Sequence, residues 1–131
     1  MEIKYQIAVL PDPEQIISVY SNAGLSRPKD PGRIRKMYEN SNLVVTAWHD
    51  ETLVGVARAL TDFSWCCYLP DLAIDNNYQK RGIGARLIDL VKEQIGKECM
   101  LVLLSVPGAM DYYPRIGFTK QEGCFIINRS A

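Results

Sequence analysis

The stretch from Cys66 to Ser105 constrains the fold of this chain more than any other. Cys66 to Ile74 reads as a strand rich in aromatic and aliphatic residues. A polar turn follows, and Gly82 and Gly84 open a segment with apolar residues at Ile83, Leu87, Leu90, Val91 and Ile95. That spacing predicts an amphipathic helix over 83–95, stopped by Gly96. Met100 to Leu104 is an unbroken apolar run, as in a strand covered on both faces. Strand, helix and strand in this order predict a right-handed parallel crossover. Pro70 falls inside the first strand and cannot donate to a ladder, so the strand should be irregular, bulged or unpaired there.

The remaining pattern surrounds this unit. Ile3 to Leu10 reads as a first strand, broken by Pro11-Asp12-Pro13. Asp12 as N-cap and Pro13 at the first helical position predict a helix to about Ala23, ended by Gly24. Ile34, Met37 and Tyr38 put a second helix after Pro31. Leu43 to Trp48 and Leu53 to Leu60 form a hairpin signal around His49-Asp50-Glu51-Thr52. A short helical stretch near Ala109 to Tyr113 and a last strand from Cys124 to Asn128 complete the expectation. The class is α/β, with a mixed central sheet and flanking helices. The 131 residues suit one domain, 1–131.

A net charge of +0 gives no global field toward nucleic acid or an anionic membrane, so neither is expected as a partner. No apolar run reaches the ~20 residues of a membrane span, and the N-terminus lacks signal-peptide character. Cys66, Cys67, Cys99 and Cys124 form no C-x-x-C pair, which points to a reducing, cytoplasmic setting. No His/Cys/Asp cluster has metal-ligand spacing, so no metal is expected.

The densest chemical signal is Gln79-Lys80-Arg81-Gly82-Ile83-Gly84. Backbone N–H groups at a helix start have no intrahelical acceptors, and the helix dipole adds partial positive charge. Glycines let the backbone close on a ligand, and Lys80, Arg81 and Arg86 add cations, so the segment reads as a phosphate site. A Rossmann fingerprint needs a third small residue where Leu87 stands. A P-loop needs Gly-Lys-Ser/Thr, and Gly84-Ala85-Arg86 is not that. The segment fits instead the Q/R-x-x-G-x-G/A turn of acyl-CoA-binding acetyltransferases.

With Leu53-Val54-Gly55-Val56-Ala57-Arg58, Asp71-Leu72-Ala73-Ile74, and Tyr112-Tyr113-Pro114-Arg115-Ile116-Gly117-Phe118 in order, the chain resembles the GCN5-related N-acetyltransferase superfamily. The resemblance covers about Asn42 to Phe125. It implies a mostly antiparallel sheet in which a parallel pair, Cys66–Ile74 and Cys99–Ser105, splays apart around acetyl-CoA. It implies pyrophosphate contacts from the backbone around Lys80, Arg81, Gly82, Ile83, Gly84 and Ala85, with Gln79 supporting the turn. Main-chain groups of Leu72, Ala73 and Ile74 would pair with the pantetheine arm like an added strand. Tyr113 matches the family tyrosine that holds the coenzyme sulfur and protonates the leaving thiolate. Pro114 follows it where the family often has a charged residue, and Val106-Pro107-Gly108 replaces a frequent asparagine.

Direct transfer needs a deprotonated amine, and Asp71 is the candidate acid to accept or orient its proton. The alternative is that Asp71 forms an ion pair, with Arg58 as the partner. Arg27, Lys29, Tyr38, Trp48, Arg58, Asp62 and Trp65 are candidates for an acceptor cavity. His49 reads as a solvated turn residue, and an acyl-cysteine route through Cys66 or Cys67 is disfavoured against buried structural thiols. The expected activity is acetyl transfer to a primary amine, small, polyamine-like or sugar-derived. A non-catalytic acyl-CoA-binding module is the alternative, and neutral charge argues against a toxin acting on tRNA. The last strand offers an edge through which a homodimer could form.

Overall fold

Prolines and glycines mark where the elements begin and end. A computed structural model of the chain describes residues 1–131. Strand β1 (Lys4–Ile7) is shorter than expected because Ala8 turns to φ 67°, which breaks an extended run. In α1 (Pro13–Ala23) the Gln15 side chain accepts from the Asp12 N–H, and Gly24 closes the helix in the left-handed conformation. Asp30 caps α2 (Pro31–Glu39) by accepting from the Gly32 N–H.

Strands β2 (Leu43–His49) and β3 (Thr52–Thr61) make the expected hairpin, and β4 (Cys66–Ile74) and α3 (Ile83–Ile95) keep their expected limits. Strand β5 (Met100–Val102) stops two residues early. The expected helical stretch is divided between a 3-10 turn at Pro107–Ala109 and the one-turn α4 (Tyr112–Arg115). The expected last strand does not form. Phe125, Ile126 and Ile127 stand 95%, 67% and 100% exposed, because strand propensity supplies no partner and a strand without a ladder has nothing to hold it.

The sheet order is β1-β2-β3-β4-β5, antiparallel except for the parallel pair β4–β5. On one face, Ile83, Leu87, Ile88 and Val91 of α3 pack on Val45, Ala57 and Leu69. On the other, Ile16, Val19 and Tyr20 of α1 and Ile34 and Tyr38 of α2 pack on Val44, Val56 and Ala73. Gly55 lets α3 approach, since a Cβ there would meet Leu87 and Ile83 at 3.3 and 3.4 Å.

Two irregularities in β4 create the site. Arg58 pairs with Asp71 but Leu60 with Tyr68, so β4 carries one extra residue at Leu69-Pro70. A bulge is one of the three outcomes that Pro70 allowed. It changes which face β4 presents. Cys67 and Leu69 join the α3 core, whereas Ala73 joins the α1–α2 core and Asp71 reaches Tyr20. The second irregularity is a splay. Parallel pairing covers Cys66↔Met100, Cys67↔Leu101 and Tyr68↔Val102 and then stops. From Leu69 to Ile74 the β5-facing edge of β4 has no strand partner.

Candidate active site

A cavity of about 550 Å3 fills the splay. Leu72, Ala73 and Ile74 form one wall, and Leu103, Leu104 and Val106 face them from beyond β5. Gln79, Lys80, Gly82, Ile83, Gly84 and Ala85 line the turn end, with Tyr112, Tyr113 and Arg115 of α4 opposite. Of the sequence candidates for donor contact, only Arg81 and its side chain stay outside. Its guanidinium lies over the Tyr78 ring, 5.6 Å from the centroid.

The turn is built to meet an anion through its backbone. Lys80 and Gly82 adopt φ 65° and 80°, the left-handed conformation from which backbone anion-binding concavities are built. The first intrahelical bond of α3 runs from the Arg86 N–H to the Gly82 carbonyl. The N–H groups of Ile83, Gly84 and Ala85 therefore have no backbone acceptor. Gln79 ties the turn to β4 by donating to the Ile74 carbonyl at 3.0 Å. A Cβ on Gly84 would lie 2.8 Å from the Tyr112 hydroxyl, so glycine at this position lets α4 close on α3. Free N–H groups, a narrow apolar slot and an unpaired strand edge fit a pyrophosphate followed by an extended amide-bearing arm.

Tyr113 stands in the cavity wall, ring edge-on to Tyr112 at 5.3 Å and to Phe118 at 5.5 Å. Burial, then the neighbouring Tyr112, pushes its phenol above the ordinary range, so it stays protonated. Pro114 does not abolish the helical turn, because α4 runs through it.

At the other end Asp71 is fully buried and wholly engaged. Arg27 Nε donates to its Oδ1 at 2.5 Å. Arg58 Nε and Tyr20 Oη donate to its Oδ2 at 2.6 and 2.7 Å, and Tyr38 Oη bonds Tyr20 Oη behind. Arg27 also donates to the carbonyls of Ser26 and Pro70. Burial alone would raise the Asp71 pKa. Hydrogen bonds and charge from Arg58, helped by Tyr20 and Arg27, win and hold it below the usual carboxylate range. Burial pushes both tyrosines up, so they remain neutral. The ion pair with Arg58 that the sequence offered as the alternative is present.

Other candidates divide. Arg27 lines the cavity and Lys29 an adjoining one of about 260 Å3. Tyr38 is core, and Trp48 donates to Thr46 Oγ1. Asp62 caps the β3–β4 loop by accepting from the N–H groups of Trp65, Ser64 and Cys66, which lower its pKa to about 2. Neither Cys66 nor Cys67 lines the cavity, and burial raises the Cys67 thiol to about 11. His49 is a correction: it ends β2, and its Nδ1 meets the Tyr78 hydroxyl at 2.7 Å rather than standing free in a turn. Tyr78 and Tyr112 as lining residues were missed by sequence reasoning. The only signal was their nearness to the turn and to Tyr113.

Comparison with known proteins places this geometry. A family model described as an acetyltransferase (GNAT) domain matches residues 17–127. The chloroplastic GCN5-related N-acetyltransferase 1 of Arabidopsis thaliana is 25% identical over 109 residues, 80% of this chain and 55% of the relative. The chain thus spans about half the length of that curated relative. A protein of unknown function from meticillin-resistant Staphylococcus aureus superposes with TM-score 0.84 at 23% identity, over 98% of this chain and 100% of that one. An aminoglycoside N-acetyltransferase in complex with CoA superposes with TM-score 0.75 at 13% identity, over 99% and 96%. At these identities the structural likenesses show the fold.

Proposed function

Because the chain belongs to the GNAT acetyltransferase family, we propose that it transfers the acetyl group of acetyl-CoA directly to a primary amine of a small acceptor. The observation that carries this is the splay: one cavity joins the N–H-rich turn, the unpaired β4 edge and Tyr113. Acetyl-CoA supplies a thioester whose carbonyl carbon a neutral amine attacks, with release of the thiolate. The N–H groups of Ile83, Gly84 and Ala85 hold the pyrophosphate, and Lys80 lends charge at the cavity wall. Leu72, Ala73 and Ile74 offer main-chain groups to the pantetheine amides. An N–H among them also suits the developing oxyanion. Tyr113 donates its proton at the sulfur, and the proton that the attacking nitrogen sheds returns through water to the tyrosinate, which restores the phenol.

In this reading Asp71 is a positioning residue rather than the base. Its oxygens are taken by Arg27, Arg58 and Tyr20, and it holds the α1–α2 loop against β4. Four free cysteines suit the cytoplasm. The exposed apolar tail and the open edge of β5 favour a homodimer.

Tyr113→Phe tests the mechanism. Turnover, followed by coenzyme A release, should fall about 10²-fold, the low end of general-acid effects. Acetyl-CoA affinity by calorimetry should change less than about threefold, under one kcal/mol. Unchanged turnover would remove Tyr113 from the chemistry. Wild-type protein that binds acetyl-CoA but acetylates no amine in a broad panel would make the domain a binding module.

A further inference from the structure

The acceptor end of the cavity carries a charge signature of its own. We propose that the acceptor is a small primary amine that also bears a carboxylate or phosphate, received by Arg27 and Lys29 while the amine points toward Tyr113. This rests on the acetyl-transfer reading and gives it a substrate class.

The cavity has two ends along β4. Ile74 and the glycine turn form the donor end. Leu69, Pro70, the C-terminal Ala23 of α1 and the loop residues Gly24, Leu25 and Arg27 form the other, about 13 Å away at the rise of a strand. No Asp or Glu lines the cavity or its neighbour, which shares Gly24, Leu25 and Arg27 and adds Lys29. Asp71 lies behind this wall with no exposed surface, and two guanidiniums face that single carboxylate. With Tyr20 and Tyr38 neutral, two guanidiniums outweigh one carboxylate and the cluster carries net positive charge, with Arg27 as its member in the cavity wall.

Arg27 is fixed for recognition. Its Nε is bound to Asp71, and one N–H on each terminal nitrogen is bound to the Ser26 and Pro70 carbonyls. One N–H per terminal nitrogen stays free, on a side chain 27% exposed. Unfilled donors on a held guanidinium suit a carboxylate or phosphate oxygen. Lys29 is exposed and forms no ion pair. A polyamine or another polycation would meet like charge there and no carboxylate to offset it, which disfavours the polyamine-like acceptor that sequence allowed.

Matched amines test this by coenzyme A release: O-phosphoethanolamine against ethanolamine, and lysine against cadaverine. The anionic member of at least one pair should show kcat/KM about tenfold higher or more, as a charge-assisted pair gives. Which pair responds distinguishes phosphate from carboxylate. Arg27→Gln strips Asp71 of a partner and risks the fold, so Lys29→Gln carries the test. It should cut the preference severalfold with acetyl-CoA affinity unmoved. Equal or reversed preference in both pairs, with transfer intact, overturns the proposal and leaves the acetyltransferase reading standing. If no amine is acetylated, calorimetry on the CoA-saturated protein decides. Tenfold tighter binding of an anionic member sustains the anion site and equal binding ends it, while the acetyltransferase reading falls only if the broad amine panel is left unacetylated too.

Discussion

Gly84 stands second in α3, and the carbon it lacks would lie 2.8 Å from the Tyr112 hydroxyl. Two effects of Gly84→Ala oppose each other. Alanine gains up to about 1 kcal/mol in helix propensity. The overlap displaces a hydroxyl at the end of a rotatable side chain, which costs the fold little. The melting temperature should therefore hold or rise by a few degrees. Acetyl-CoA binding should nevertheless weaken about tenfold, roughly 1.4 kcal/mol, because both the new methyl and the displaced ring enter the donor slot. Calorimetry showing unchanged affinity would take Gly84 out of the cradle. Tyr113 adds a pH expectation. Its pKa is raised by burial, so activity should show no loss from its ionisation below its ordinary value of about 10. A pH–rate profile in which wild type declines below pH ~10 and Tyr113→Phe does not would contradict that.

Among the elements, the bulge of β4 and the α1–α2 loop act together. Extra length at Leu69-Pro70 turns Asp71 toward α1, and Arg27 then locks the loop to the Pro70 carbonyl. Asp71→Asn should cost about 3 kcal/mol, since it leaves two guanidiniums short of a buried partner while Arg27 keeps some water. The sign of the pH effect follows from a folded-state pKa below the unfolded value. Wild type keeps this contribution above about pH 4 and loses it as pH falls through the lowered pKa. Chemical denaturation from pH 6 down to 2 should show a steeper loss for wild type than for Asp71→Asn, and parallel curves would deny the linkage.

Legibility divides along the same line. Local signals fixed α1, α3 and β4 to the residue, because Pro13, Gly24, Gly82 and Gly96 act through their own backbones. Pro70 announced an irregularity by its missing donor, though not which kind. Of the side-chain meetings across elements, the Arg58–Asp71 pair on neighbouring strands was legible, whereas Tyr20 and Arg27, 51 and 44 positions from Asp71, were not. Cys124 to Asn128 failed for a related reason, since a strand is a property of its neighbour as much as of its residues.

At the scale of the molecule, two unpaired features remain. Strand β5 ends the sheet with an open edge, and Met100, Val102 and Leu104 are 58%, 41% and 48% exposed beside it. The same chain carries Phe125 and Ile127 almost wholly, and Ile126 mostly, in water. Exposing both forgoes about 1.5–3 kcal/mol per large apolar side chain and invites edge pairing. A second copy can satisfy both at once, each tail pairing with the other's β5 around a two-fold axis, so that the interface closes without growing into a filament. Sedimentation should show a dimer at micromolar concentration. The pair Phe125→Asp and Ile127→Asp should return it to monomer with the melting transition of the core retained, because neither side chain belongs to either core cluster. A tail folding back on its own β5 would instead give a monomer whose Cys124–Asn128 amides are protected from hydrogen exchange. Observing that would replace the dimer by an intramolecular sixth strand.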